Sequence, residues 1–406
     1  MIQTYKMAFR ELGRNRRRAF FSALALAIGV ALLLLMASVI AGELRDSMDT
    51  SIRLQTGHLQ VRAKTYDENK TSLAWTDLVE KPDQIAAQIA TLGPVAVATP
   101  RLYASGIVAS GDNSLGVRII GVDPASPANA PFSNGIIAGK FLTADDSAGI
   151  VIGQPLADKL SLNTGDKVNL LVNTSNGSVD QQDFIIRGIY TTHTPGFDQS
   201  TVFMPLAKAQ AITQTQNHAT LIFVLLKDRA QTAAVAQSLT TTQYQVITWE
   251  QANPLILQFT QFTGVYMAML YLIILGITAT VIINTLVMSV FERTREIGIL
   301  AAIGMRSSSI MGMFFAESTL LAVGGIAMGL ALGGLVVSLC AKYGLPIGNV
   351  GVTGFTLRDR IYAYFEPSQA IYLIIATFII TLLAALYPAI MAARMEPVDA
   401  LRGGKK

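Results

Sequence analysis

The amino-acid sequence predicts an α-helical membrane protein with four transmembrane helices and one large extracytoplasmic α+β domain between helices 1 and 2. Three observations carry that reading. Of 406 residues, 51% are apolar and only 14% charged, against about 25% charged in soluble domains, which excludes a cytosolic enzyme, a disordered chain and a small disulfide scaffold. Four uncharged runs are long enough to cross ~30 Å of hydrocarbon, which takes about 20 helical residues. Between the first and second runs the pattern changes to short alternating segments separated by turn residues.

Residues 1–18 form a basic segment in which Arg14, Arg16, Arg17 and Arg18 lead directly into the first run, 19–42. A secretory signal has an apolar stretch of about 7–15 residues; this run is longer, so it reads as an uncleaved anchor. The second run follows Asn253-Pro254, an N-cap with proline at the first helical position. A helix over 254–291 would be roughly 57 Å long at 1.5 Å per residue, so it reads as a stalk that continues into a transmembrane helix. A polar loop at 292–309 precedes the third span, 310–341, whose acidic residue is Glu317. An outer loop at 342–366, the fourth span at 367–393 and a tail at 394–406 complete the order.

Within 43–253, the segments Ser105 to Ala109, Val117 to Val122, Lys167 to Val172 and Phe184 to Tyr190 alternate as strands, with turns at Gly111-Asp112-Asn113 and Asn163-Thr164-Gly165-Asp166. Helical stretches fall near Leu206 to Thr213 and Gln231 to Leu239. This is a folded α+β domain of one or two subdomains.

Charge decides which side that domain occupies. Segment 1–18, the 292–309 loop and the tail together hold 13 Lys/Arg and 5 Asp/Glu, whereas Glu43 to Glu250 holds 15 and 19. Positive charge marks the cytoplasmic face, so both termini and the 292–309 loop are expected in the cytoplasm and the large domain outside, in a multi-pass protein of the cytoplasmic membrane. The pI near 9.1 then reflects topology, and a nucleic-acid partner is not implied because the basic residues flank spans.

The residues of an enzyme are missing. The sequence contains no G-x-x-x-x-G-K-[ST] loop and no Gly-x-Ser-x-Gly elbow. His58, His193 and His218 lack metal-ligand spacing, and Cys340 stands alone in an apolar run. No catalytic residue, metal or cofactor is assigned to this chain. Ion-driven transport is disfavoured, since carriers place ionisable groups and broken helices near the midplane.

The most informative stretch is Glu292-Arg293-Thr294-Arg295-Glu296-Ile297-Gly298-Ile299-Leu300-Ala301-Ala302-Ile303-Gly304-Met305-Arg306. Ile297, Leu300, Ala301 and Gly304 stand at i, i+3, i+4 and i+7, one helical stripe of small and apolar side chains behind a charged start. Such a helix is shaped to be pushed by another protein, or to rest on lipid headgroups.

This stretch, the Gly-rich third span, Tyr387-Pro388-Ala389 and the run Ala393 to Arg402 resemble the FtsX-type permease domain. With Gly121-Val122-Asp123-Pro124 and Val151-Ile152-Gly153 in the outer domain, the chain is similar to permeases of the MacB, LolC and LolE group of ABC transporters. The resemblance implies a bacterial inner-membrane permease dimer, homo- or heteromeric, seated on two copies of a separate ATPase that binds ATP and Mg. It implies a MacB-type periplasmic core domain for the outer domain. It makes Glu292, Arg293, Arg295, Glu296, Gly298, Leu300, Gly304 and Met305 the ATPase-coupling residues. Function is then mechanical: ATPase closure moves the stalks and rearranges the outer domains to extract or export an amphipathic substrate, with lipid-anchored proteins foremost. Drug, peptide or toxin efflux is the alternative, and an FtsX-like activator of a periplasmic hydrolase, with its smaller outer domain, is a third. A long chaperone-recruiting hook is not expected, because the hairpin connection Asn173 to Asp183 is short and polar; a chaperone or adaptor stays open.

Gly325, Gly329 and Gly333 on span three and Ala23, Ala27 and Ala31 on span one repeat every four residues, a spacing that lets helices approach closely in lipid, within one protomer or across a dimer. Asn284, polar at membrane depth, is expected to bond to a neighbouring helix. An acyl-binding cleft would suit Leu34, Met36, Val265, Met267 and Met269, as would plain lipid contact.

Overall fold

The computed structural model describes residues 10, 13, 14, 16–67, 72–240, 243–346 and 360–396. Pro397 to Arg402 of the terminal motif, residues 347–359 of the outer loop and most of segment 1–15 lie outside the described residues. The chain forms two compact units, Met1–Leu44 with Thr260–Leu345 and Ile361–Lys406, and Arg45–Phe259 with Pro346–Arg360.

The first unit is helical. Span 1 is a helix over Arg16–Ser51, span 2 over Pro254–Glu292, span 3 over Ser307–Tyr343 and span 4 over Pro367–Ala393. All four are long and apolar enough to cross a membrane. The helix of span 1 runs past Gly42 through Glu43, Arg45, Asp46 and Asp49: charge ends the hydrocarbon-compatible stretch, but nothing in these residues breaks a helix. The bundle packs around Leu26, Val30, Ile282, Leu286, Ala322 and Ala385.

Between Arg45 and Phe259 the described residues of the second unit form twelve strands, β1 Leu59–Ala63, β2 Val79–Glu80, β3 Val95–Ser110, β4 Asn113–Val122, β5 Ile136–Gly139, β6 Gly149–Gly153, β7 Lys167–Asn173, β8 Val179–Tyr190, β9 Thr201–Pro205, β10 His218–Ala219, β11 Leu221–Leu226 and β12 Tyr244–Thr248. Six of them close on one another: β3 pairs with β4, β4 with β9, β9 with β6, β6 with β8, β8 with β7, and β7 returns to β3. Closure gives each of these six strands a partner on both sides, while β12 and β5 end the wider sheet. Alternate residues fill the enclosed core, among them Leu102, Ala104 and Val108 of β3 and Val168, Leu170 and Val172 of β7, as the two-residue period of a strand requires.

β3 joins this ring to a second layer. Its first half pairs with β11, which leads to β1 and then β12, and the helices Pro82–Ala90 and Thr232–Leu239 cover that sheet with Ala86, Ile89 and Val235. The strand expected from Ser105 therefore begins at Val95. Pro100, which cannot donate to a ladder and so argues against a strand interior, sits just before Arg101, where β3 exchanges β11 for β4. The β3–β4 turn is Gly111-Asp112, with Gly111 at φ +55°, in the left-handed region that two-residue hairpins demand.

The hairpin connection between β7 and β8 is shorter than the sequence reading, residues 174–178, because Asn173 already pairs with Val179. Its tip folds onto the neighbouring loop. The Ser175 N–H donates to Thr213 O and its Oγ to Gln214 O, both at 2.8 Å, and Asn176 Nδ2 donates to Gln214 Oε1 at 3.2 Å.

Candidate functional site

The stretch expected to meet an ATPase folds as a short helix, Thr294–Ala302, between spans 2 and 3. A hydrogen-bond pattern ends it: Met305 N–H donates to Leu300 O at 3.0 Å and Gly304 N–H to Ala301 O at 3.1 Å, the Schellman arrangement that places a left-handed residue just past the helix. Gly304 is that residue, at φ +92°. The expected stripe is corrected accordingly, since Gly304 terminates the helix instead of extending its apolar face.

The helix has two faces. Ile297 and Gly298 are buried and Leu300, Ala301 and Met305 half-buried; Ile297 joins a core with Val290, Ile310, Phe314, Ala389 and Ala392, against which Ala301 and Met305 pack. The opposite face carries Arg295, Glu296, Ile299, Ala302 and Ile303, with Arg306 beyond, all exposed. Ile299 is 46% and Ile303 74% exposed. Periodicity found the buried stripe. It could not find the outward one, because an isoleucine on a nine-residue helix and another just past its end look the same from either side.

The charged start divides three ways. Glu296 pairs with Arg14 at 2.7 Å, and Glu292 pairs with Arg18, so both carboxylates are engaged by the basic lead of span 1. Arg295 is exposed. Arg293 is buried at 4% exposure, and its Nη1 lies 3.6 Å from Glu317 Oε2 of span 3. Arg293, expected among the coupling residues, is turned inward by its position between span 2 and this helix.

The glycine face of span 3 meets span 1 of the same chain. A Cβ on Gly325 would stand 2.6 Å from Leu26, one on Gly329 2.7 Å from Val30 and 2.8 Å from Ala27 O, and one on Gly333 2.9 Å from the Ala31 Cα. Ala27 is buried and Ala23 and Ala31 half-buried. The interhelical polar contact falls one residue from the expected place: Thr285 Oγ1 lies 2.8 Å from Ser22 Oγ of span 1, while Asn284 is exposed. Successive helical residues point about 100° apart, so a neighbour can take the contact.

The five residues suggested for a cleft do not come together. Leu34 packs in the bundle core with Leu33 and Val337 and Met36 is half-buried. Val265 and Met269 are exposed, and Met267 lines a cavity of about 450 Å³ with Ala37, Ala41, Thr263, Tyr271 and Leu373. Residues two apart on a helix face roughly opposite ways, which is why 265, 267 and 269 divide.

In the second unit, a π-helical turn, Ile52–Thr56, ends the first helix, and its carbonyls are held by β3. Arg101, fully buried, donates from Nη1 to Leu54 O at 3.2 Å and stacks 3.6 Å over the Phe223 ring; Tyr103 Oη donates to Gln55 O at 3.1 Å. A cation there suits the negative end of a helix, and burial lowers the Arg101 pKa. A cavity of about 480 Å³ is lined by Arg53, Asn134, Thr191, Thr192 and His193. Beneath it the buried Asp198 carboxylate accepts from Thr192 N at 2.8 Å and Thr192 Oγ1 at 2.6 Å. Burial raises its pKa, against the lowering effect of those bonds.

Two family models match the chain: a MacB-like periplasmic core domain over residues 19–242 and an FtsX-like permease C-terminal domain over residues 268–397. Similar proteins include the lipoprotein-releasing system transmembrane protein LolE of Haemophilus influenzae, 23% identical over 94% of each chain. LolC of the same organism is 25% identical over 62% of this chain and 64% of its own. The macrolide export ATP-binding/permease protein MacB of Rhodospirillum rubrum is 29% identical over 98% of this chain and 60% of its own, so the chain spans about three fifths of that relative.

Proposed function

Since the chain belongs to the MacB/LolC/LolE family of ABC transporter permeases, we propose that it is the permease subunit of a bacterial inner-membrane transporter in which a separate ATPase, binding ATP and Mg, works the coupling helix from the cytoplasm. Two permease protomers sit on two ATPase copies, both termini are cytoplasmic, and the periplasmic domain delivers the work. The observation that carries this reading is the two-faced coupling helix. Its inner face is seated on spans 3 and 4 through Ile297, and its outer face offers Ile299 and Ile303 beside Arg295 and Arg306. Exposed isoleucines flanked by arginines are the composition of an interface core with a charged rim.

The substrate we infer is amphipathic, a lipid-anchored protein released from the membrane, in keeping with the similarity to LolE, a lipoprotein-releasing system transmembrane protein. Export of a macrolide-like compound is the second reading, favoured by the MacB relative's identity over nearly the whole chain. Purifying the chain with its ATPase and identifying co-purified lipids or lipoproteins by mass spectrometry decides between them. Ile299→Asp with Ile303→Asp tests the coupling face: the variant should insert in the membrane yet lose the ATPase on affinity capture, and undiminished capture refutes the assignment.

A further inference from the structure

Arg293 and Glu317 are the buried charged residues among the described residues of the helical unit, and the coupling reading leaves their burial without a purpose. Both are more than nine-tenths buried, at 4% and 5% exposure, and 3.6 Å apart. One stands at the start of the coupling helix and the other within span 3, eleven positions from Arg306. A buried charge separated from its partner is strongly disfavoured, whereas the intact pair adds little to stability over well-packed apolar residues. Ionisable residues inside a span are rare and face the bundle interior. What the pair supplies is position. Apolar contacts such as Ile297 on Phe314 can slide by a rotamer, but the coupling helix cannot shift along span 3 without parting the two charges.

Span 3 has its own rigid contact. Gly325, Gly329 and Gly333 lie against Leu26, Ala27, Val30 and Ala31 of span 1, so close that no side chain fits between. We propose that the Arg293–Glu317 pair is a latch that makes the coupling helix and span 3 move as one body. A push on the coupling helix then reaches the middle of span 1 through the glycine face of span 3, in parallel with the route up span 2 and with the Glu292–Arg18 and Glu296–Arg14 pairs at the basic start of span 1. Arg293 and Glu317 are positioning residues in this scheme, and the proposal rests on the permease reading above.

The chain contains its own reporter. Cys340, the sole cysteine, is half-buried on span 3 against the cluster that holds Leu33 and Leu34 of span 1. It is roughly 35 Å along the helix from Glu317 at 1.5 Å per residue. The experiment measures the rate of maleimide labelling of Cys340 in the full chain, reconstituted in nanodiscs with its co-purified ATPase, with and without ATP and vanadate. In the unsubstituted chain, trapping should change the rate by about fivefold or more, the low end of an allosteric coupling. Glu317→Gln should cut that change at least by half while the ATPase stays bound. The paired change Arg293→Met with Glu317→Leu removes both charges without leaving one stranded, so it should fold and show the same reduced response. The swap Arg293→Glu with Glu317→Arg should restore it. A merely structural pair would move basal labelling but not its ATP dependence. A full response in the Met/Leu pair, or none in a folded swap, overturns the latch alone; no response in the unsubstituted chain overturns the permease reading with it.

Discussion

Placing a methyl group on Gly329 should force spans 1 and 3 apart, and the same change at Gly334 should not. The Cβ of Gly329→Ala would lie 2.7 Å from Val30 Cβ, about 0.7 Å short of ordinary contact, and 2.8 Å from the Ala27 carbonyl oxygen. A backbone oxygen cannot rotate away, so the helices must separate or bend. Overpacking of this kind costs about 1–3 kcal/mol, against a gain of at most about 1 kcal/mol from alanine's higher helix propensity. Gly334 has nothing within 4 Å of its Cβ position, so Gly334→Ala keeps only the gain. The two variants should differ by about 1–3 kcal/mol in favour of Gly334→Ala. Each kcal/mol is worth about 2–4 °C in a unit of this size, and thermal unfolding of the purified full chain in detergent reads it. Gly325→Ala should melt close to Gly329→Ala, because the Leu26 Cβ, which no rotamer change moves, stands 2.9 Å from the new Cβ. A Gly329→Ala variant that melts at or above the temperature of Gly334→Ala would show that spans 1 and 3 do not pack this closely.

Other outcomes follow from the second unit, where both tryptophans, Trp75 and Trp249, lie, so that fluorescence-detected urea unfolding of the full chain reports on that unit. His58 Nδ1 accepts the Leu226 N–H at 3.1 Å, and burial, then the Arg229 charge, lower its pKa below 6.5. The unfolded chain therefore takes up the proton first, and the His58 contribution is present above about pH 6.5 and lost as pH falls below it; His58→Gln should flatten that part of the pH dependence, and an unaltered slope would count against it. Arg101→Ala should destabilise the unit by about 2–4 kcal/mol through the lost bond to Leu54 O and the cavity beside Phe223, with Arg101→Met milder; equal urea midpoints for Ala and wild type would contradict the clamp. Gln214→Gly should raise amide exchange in residues 174–178, because the side-chain bond to Asn176 is removed; unchanged exchange would mean the backbone bonds alone hold the tip.

Hydropathy and charge were enough to read four spans and an α+β domain between the first two, because both depend on composition summed over many residues, and one misjudged side chain alters neither. The ends were less legible. Span 1 keeps its helix to Ser51 through four charged residues, and β3 runs through Pro100 to Val95, since continuation was decided by what each segment packs against. The six-strand ring was illegible for the same reason: the pairing of β7 with β3 and the parallel pairing of β4 with β9 join segments far apart in sequence.

The stretch between spans 2 and 3 marks the boundary most sharply. Its location, its charged start and its apolar period are all in the linear sequence. That Arg293 turns inward to Glu317, that Glu292 and Glu296 are held by Arg18 and Arg14, and that Ile299 and Ile303 are the exposed pair came only with the tertiary structure. A periodic pattern states that a helix has two faces. Only the helices around it, by filling one side and leaving the other open, decide which face is which.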